Sequence, residues 1–406
     1  MNLAVRPAVR AENSRLGQPP RSLYVHLPWC LQKCPYCDFN SHARRRPVPE
    51  ATYVDALLTD LQADLEQLPA APLVSIFFGG GTPSLFSPAA IGRLLEGIAA
   101  RTPFAAEAEI TLEANPGAAD AARFAGYRAA GVNRLSIGVQ SFDDGALRRL
   151  GRIHDGAAAR AAAEAAGAAG FSRINLDLMY ALPGQSVAAA LADVRLGMAL
   201  TGDHLSHYQL TLEPDTPFAT SPPADLPTEQ TVADMQAEAE SVLSSGGFAH
   251  YEVSAWGRPG GASRHNLNYW QFGDYLGIGA GAHAKITRSG GIYRLAKPAH
   301  PQRYLLAAAN SRTRGGALAL PTPVAPAART FEFLLNALRL TDGVPVALFT
   351  ARTGLTAAAL EPARAQAVAD GLLEPAPTRL QPTPLGRRFL NDLLSRFLDA
   401  EGSGGP

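Results

Sequence analysis

Along residues 22 to 212, short runs rich in β-branched and aromatic residues alternate with longer stretches that carry apolar residues at helical spacing. The runs 22–27, 73–78, 108–112, 134–139, 173–178 and 204–212 read as six strands. Between them, 50–68 places Tyr53, Leu57, Leu61, Leu65 and Leu68 on one helical face. Ser87 followed by Pro88 marks another helix start, and alanine-rich helical segments cover 118–130, 143–150, 156–169 and 186–200. Strands alternating with helices predict a parallel sheet with right-handed crossovers. Each strand but the last runs into an unusual cluster: cysteines after the first, Gly79-Gly80-Gly81-Thr82-Pro83 after the second, Glu113 after the third, Gln140 after the fourth, and Asp177 near the end of the fifth. Polar groups collected at the carboxyl ends of several strands favour an α/β partial (β/α)6 barrel with one mouth over an open doubly wound sheet.

The rhythm fades after His283. Helices are expected at 301–310 and 327–340, two short ones in 354–369, a hairpin from 371–374 and 379–384, and an amphipathic helix over 384–397, a set resembling a winged helix. The expected division is a disordered arm at 1–20, a barrel with its extension at 21–285, a helical winged-helix-like domain at 286–400 and a flexible tail at 401–406.

Composition narrows the function classes. Thirty-six Lys and Arg balance 36 Asp and Glu, so no broad basic surface for nucleic acid is expected. No apolar run approaches the roughly 20 residues that span a bilayer, and the arginines among the first twenty residues flank no apolar segment of a secretory signal. Arg387, Arg388 and Arg396 beside Phe389, Leu390 and Leu393 leave peripheral membrane contact open, though a solvated face is the commoner meaning of such charges. Homodimerisation is also left open.

The chemistry is concentrated in Cys30-x3-Cys34-x2-Cys37, which holds all three cysteines of the 406 residues. An odd count does not build a disulfide framework, and closely spaced thiolates converge on one inorganic centre. A Cys3His zinc site using His26 or His42 and a redox pair at Cys34 and Cys37 are the alternatives. Three thiolates on a four-iron cubane leave one iron open.

This stretch resembles the signature of radical S-adenosylmethionine (SAM) proteins. The resemblance implies a [4Fe-4S] cluster on Cys30, Cys34 and Cys37 whose open iron is chelated by SAM, an electron donor for that cluster, and a reducing, cytoplasmic setting. Gly80, Gly81 and Thr82 resemble the family's glycine-rich segment for the methionine amine; Glu113, Gln140, Arg152 and Asp177 match SAM-contacting positions in oxygen-independent coproporphyrinogen III oxidases and their relatives, and Tyr24 and Tyr36 match aromatic positions near cluster and adenine. Within that subfamily, Cys34-Pro-Tyr-Cys-Asp-Phe-Asn-Ser41 is similar to the HemW group of heme chaperones, whereas the decarboxylating oxidase has a further cysteine where Phe39 stands. His265-Asn266-x-x-Tyr269-Trp270 matches a motif associated with heme binding in that group, with the imidazole as iron ligand. A hydrogen-bonded domain seam would equally account for those four residues. The implied function is a heme carrier handing its cargo to an acceptor protein. The alternatives are coproporphyrinogen III oxidation, another radical SAM tetrapyrrole enzyme, or a zinc-bound interaction protein.

Overall fold

The computed structural model describes residues 16–44, 46–118, 121–288 and 291–398. The six expected strands form as β1 (Arg21–Leu27), β2 (Leu73–Gly80), β3 (Phe104–Ala114), β4 (Arg134–Gln140), β5 (Arg173–Tyr180) and β6 (His204–Gln209), all parallel in that spatial order. Six helices cover them: α1 (Glu50–Leu65), α2 (Pro88–Ala99), α3 (Ala121–Ala129), α4 (Asp144–Arg149), α5 (Gly156–Ala168) and α6 (Val187–Leu200). Local chemistry sets their starts, since Ser87, Asp143, Asp155 and Ser186 each accept a backbone N–H of the first turn.

Alternation along the strands separates two faces. Leu23, Val25 and Leu27, Ile76 and Phe78, Ile110 and Leu112, and Leu135, Ile137 and Val139 pack outward into the main core beneath the helices. The opposite face is polar and buried: Ser22 lies beside Ser75 and Ser75 beside Glu109, while Glu113, Ser136, Asn175 and His204 share a higher rung. Such a lining must satisfy itself, and Ser75 Oγ donates to Ser22 Oγ at 2.7 Å while His204 Nδ1 and Asn175 Oδ1 lie 2.6 Å apart.

The sheet extends beyond the six strands on both sides. β7 (Ala249–Glu252) and β8 (Ala255–Gly257) add to β6 as an antiparallel pair. On the other side β9 (Asp274–Ile278) lies parallel to β1, followed by the antiparallel β10 (His283–Arg288), β11 (Gly291–Ala296) and β12 (Thr322–Pro323). The boundary expected at 285/286 therefore falls inside β10, and the second core takes in Phe272 and Ile292 as well as the chain from Val324 onward. Loss of the βα rhythm there marks a change to antiparallel strands rather than the end of the sheet. The helix Pro301–Arg314 likewise packs Tyr304 and Ala308 into the main core.

The second unit gathers the helices Pro326–Ala337, Val346–Thr353 and Ala363–Ala369 around Phe333, Phe349 and Leu393. Two expectations change there. Arg379–Leu380 pairs with Val344–Pro345, and a single bridge, Leu373 to Pro382, joins the segments expected to form the hairpin. The expected helix 384–397 breaks at Phe389 into Pro384–Arg388 and Leu390–Ser395. Of the arm expected to be disordered, 1–15 lie outside the described residues, but Leu16 packs on the second core and Gly17 N–H donates to Ala351 O at 3.0 Å. The tail 401–406 also lies outside the described residues. No helix among the described residues is long and apolar enough to cross a membrane.

Candidate functional site

The carboxyl ends of the parallel strands surround a cavity of about 660 Å³. Its wall includes Cys30, Cys34 and Cys37, together with Tyr36, Gly80, Gly81, Thr82, Glu113, Gln140, Arg152 and Asp177. The topology thus brings residues up to 147 positions apart to one mouth, as strand-end motifs in a barrel require.

The cysteine loop is pinned along its length. Cys37 N–H donates to Cys34 O at 3.1 Å, and Arg44 N–H donates to Cys30 O at 2.8 Å. The Asn40 amide donates to Ala280 O and Ala299 O, both at 2.9 Å, tying the loop to the chain around β9 and β11. Asn40 O lies 2.9 Å from His26 Nε2, and His26 Nδ1 is 3.0 Å from the Tyr24 hydroxyl. Burial pushes the Cys30 thiol up.

The glycine segment owes its composition to crowding. A Cβ on Gly81 would sit 2.5 Å from Trp29 O, and one on Gly80, at φ +118°, would sit 2.7 Å from the His26 ring. Gly80 N–H instead donates to Glu113 Oε2 at 3.2 Å. Glu113 is pushed up to about 8, first by burial and then by the neighbouring Asp177, with the Gly80 hydrogen bond opposing. Burial also raises Asp177, although Ser136 Oγ at 3.2 Å and Asn175 Nδ2 at 2.8 Å donate to its carboxylate. Gln140 adopts φ +70° and accepts from the Tyr208 hydroxyl at 2.8 Å. Arg152 donates to Gly138 O at 2.8 Å and lies 3.6 Å from Cys34 Sγ, while its Nε is buried without a partner.

Two groups of expected residues sit elsewhere. Tyr24 does not line the cavity; it stacks on Phe77, 6.3 Å between ring centroids. His265, Asn266, Tyr269 and Trp270 occupy the helix Arg264–Trp270, also away from the cavity wall. His265 stacks on Phe77 at 4.3 Å, its N–H donates to Glu109 Oε1 at 3.2 Å, and its Nδ1 is buried without a partner. Burial first, and Arg134 second, push that imidazole down to about 3, so it is neutral. Asn266 reaches the Tyr251 hydroxyl at 3.4 Å, Tyr269 stacks on Tyr275 at 4.2 Å, and Trp270 lies under Arg339 against the second core. In this arrangement the motif is a seam between the barrel interior and the carboxyl-terminal unit. Ser136, Tyr208 and Arg339 also line the cavity, although none was expected there from the sequence. Strand alternation flags the first, since Ser136 shares a face with Gly138, but no local signal points to Arg339.

The donor set matches in kind the group implied by the three cysteines: three free thiols line a polar cavity that offers carboxylates, a guanidinium with an unused N–H and backbone that Cβ atoms cannot approach, although among the described residues no three His, Cys, Asp or Glu side chains already stand close enough to hold a metal.

Comparison with known proteins agrees with this geometry. The radical SAM superfamily profile matches residues 24–196, and that of the HemN C-terminal domain matches 324–389. The chain is 47% identical to the heme chaperone HemW of Escherichia coli over 381 residues, covering 94% of this chain and 98% of the relative. It is 38% identical to the Mycobacterium tuberculosis protein of the same name, over 94% and 95%. Among solved structures, the coproporphyrinogen III oxidase HemN of Escherichia coli, described as a radical SAM enzyme, superposes with a TM-score of 0.77 at 25% identity, covering 94% of this chain and 90% of that one. With 47% identity extending over 94% of its length and 98% of that relative, this chain belongs to the HemW family of radical SAM proteins.

Proposed function

We propose that this chain is a heme carrier that holds a [4Fe-4S] cluster and SAM at the barrel mouth and delivers heme to an acceptor protein. The observation that carries this over the oxidase reading is the rim of the cavity. Three thiols line it, and Phe39, 61% exposed, stands where the decarboxylating enzymes have a further cysteine. The relatives that bear the heme-chaperone name match along nearly the whole chain, which supports the same reading.

In this proposal Cys30, Cys34 and Cys37 would hold the cluster, which when bound and reduced by an external electron donor would supply single electrons for SAM chemistry. Gly80, Gly81 and Thr82 present backbone to the methionine portion, and Glu113 offers a carboxyl group to its amine. Arg152 presents its unused N–H towards a carboxylate, Asp177 accepts from hydroxyls, and Tyr36 and Gln140 frame the remainder. His265 remains the proposed heme ligand, with Asn266, Tyr269 and Trp270 beside it. Its burial means that heme contact needs the seam to part.

Anaerobic reconstitution followed by hemin titration tests the proposal. The expected result is about four irons per chain, a broad absorption near roughly 400 nm, and a shifted Soret band once hemin is added. A single zinc with no response to SAM would sink the cluster reading. Conversion of coproporphyrinogen to protoporphyrinogen would replace the carrier by an oxidase.

A further inference from the structure

Arg339 enters the cavity from the carboxyl-terminal unit, although it lies far in sequence from every motif at the mouth. Its backbone carbonyl accepts from Val253 N–H at 3.1 Å, and the adjoining Leu340 bridges Glu252, so this stretch closes the side of the barrel next to β7. The guanidinium carbon lies 4.3 Å from the centroid of the Trp270 ring. Nη2 donates to Glu252 Oε2 at 3.2 Å and to Ser254 Oγ at 3.4 Å. Among the described residues Nη1 makes no hydrogen bond, and Nε is buried without a partner. A guanidinium offers five N–H groups in a rigid plane, and here those of Nη2 are used while those of Nη1 and Nε are not.

The surroundings leave Nη1 facing the cavity side without an acceptor of its own. One flank of the cavity is made by Gln209, Leu210, Thr211 and Glu213, which follow β6, together with Arg339. None of these matches a SAM-contacting position. Glu252, 2% exposed in its side chain, neutralises Arg339 while holding it from one side. The indole of Trp270, on the seam helix, packs against the guanidinium. A planar cation with Nη1 unengaged, held by one carboxylate and packed on one ring, is suited to donate through Nη1 to a second carboxylate.

We infer that Arg339 is the contact for a carboxylate edge of the flat tetrapyrrole ligand, an inference that rests on the heme-carrier reading. Because the same guanidinium covers Trp270, a ligand carboxylate that draws Arg339 into the cavity uncovers the helix carrying His265. Occupancy of the cavity and parting of the seam thereby become one event.

The test uses reconstituted full-length protein titrated with hemin and with hemin dimethyl ester, whose propionates are blocked. Hemin should bind about tenfold more tightly than the ester, the gain of one charge-assisted hydrogen-bonded pair. Arg339→Gln should remove that preference by weakening hemin alone, and Arg339→Lys should restore only part of it. Equal binding of hemin and ester by the unaltered protein, or equal weakening of both by Arg339→Gln, overturns the inference while the carrier reading stands. Absence of any hemin binding by the unaltered protein overturns both. Should Arg339→Gln fail to fold, Glu252→Gln decides. Freeing the guanidinium from its counter-charge should tighten hemin and leave the ester unchanged, whereas hemin binding that is unchanged or weaker overturns the role.

Discussion

The backbone N–H of Gly80 donates to the Glu113 carboxylate at 3.2 Å across the mouth of the barrel, joining the end of one strand to the end of the next. One hydrogen bond does not offset the desolvation of Glu113 beside Asp177, which pushes it up to about 8 from its ordinary 4.5. A carboxyl raised in the folded state stabilises that state fully below the unfolded value, and the contribution is lost as pH rises through about 8. The ligand-free protein should therefore lose melting temperature between about pH 5 and pH 9, and Glu113→Gln should flatten that slope. Thermal melts across this range decide it; an unchanged slope in the variant would assign the effect to another group.

The same pair predicts proton release on ligand binding. An ammonium placed against Glu113 favours the ionised carboxylate, so SAM should expel a proton on binding near pH 7. Calorimetric titration in two buffers of different ionisation enthalpy would read this directly. Glu113→Gln should abolish the buffer dependence as well as weakening affinity.

The barrel and its mouth were legible because each of the first five strands announces itself twice, by its apolar face and by the unusual residues at or just beyond its end. Leu23, Val25 and Leu27 against Tyr24 and His26 is a period-two pattern, and the cysteine loop follows at once. Placing His265 was beyond local pattern. Its helix is set by Glu109, 156 residues away, which accepts from both His265 N–H and Ser263 Oγ. Arg339 was equally hidden, since only the folded chain brings the second unit against β7. Antiparallel strands as short as β7 and β8 carry too few residues for alternation to register, and the turn at Phe389, with φ −112° and ψ 48°, interrupts what the apolar spacing alone reads as one continuous helix.

Substitution at Gly81 should act on the metal centre through packing. Its Cβ would meet Trp29 O at 2.5 Å, backbone that also receives Thr82 N–H at 2.7 Å. Gly81→Ala must displace Trp29 and with it Cys30. Iron content after reconstitution should fall well below that of the unaltered protein, while far-ultraviolet circular dichroism stays the same. Full iron content would show that the loop yields without cost.

Lys297 lies between Asp60 and Asp64, with Nζ 2.6 Å from Asp60 Oδ1 and 2.8 Å from Asp64 Oδ1, and all three side chains are essentially sealed from solvent. Burial pushes Asp64 up to about 6 even so, against the pull of Lys297 and with the push of Asp60. Removing the cation as Lys297→Met leaves two buried carboxylates uncompensated, which should cost about 3–5 kcal/mol in urea unfolding. Adding Asp60→Asn and Asp64→Asn should recover much of that loss, because the penalty belongs to the orphaned charges rather than to the missing contact. The consequence reaches the mouth. Asp60 also accepts from Gly279 N–H at 3.3 Å and from the Tyr304 hydroxyl at 2.9 Å, and Tyr53 joins Ala280 N–H to His26 O, the residue whose ring holds Asn40. Lys297→Met should thus shed iron faster on exposure to a chelator than the triple variant does. Equal rates would mean that the ion cluster stabilises the fold without bracing the cysteine loop.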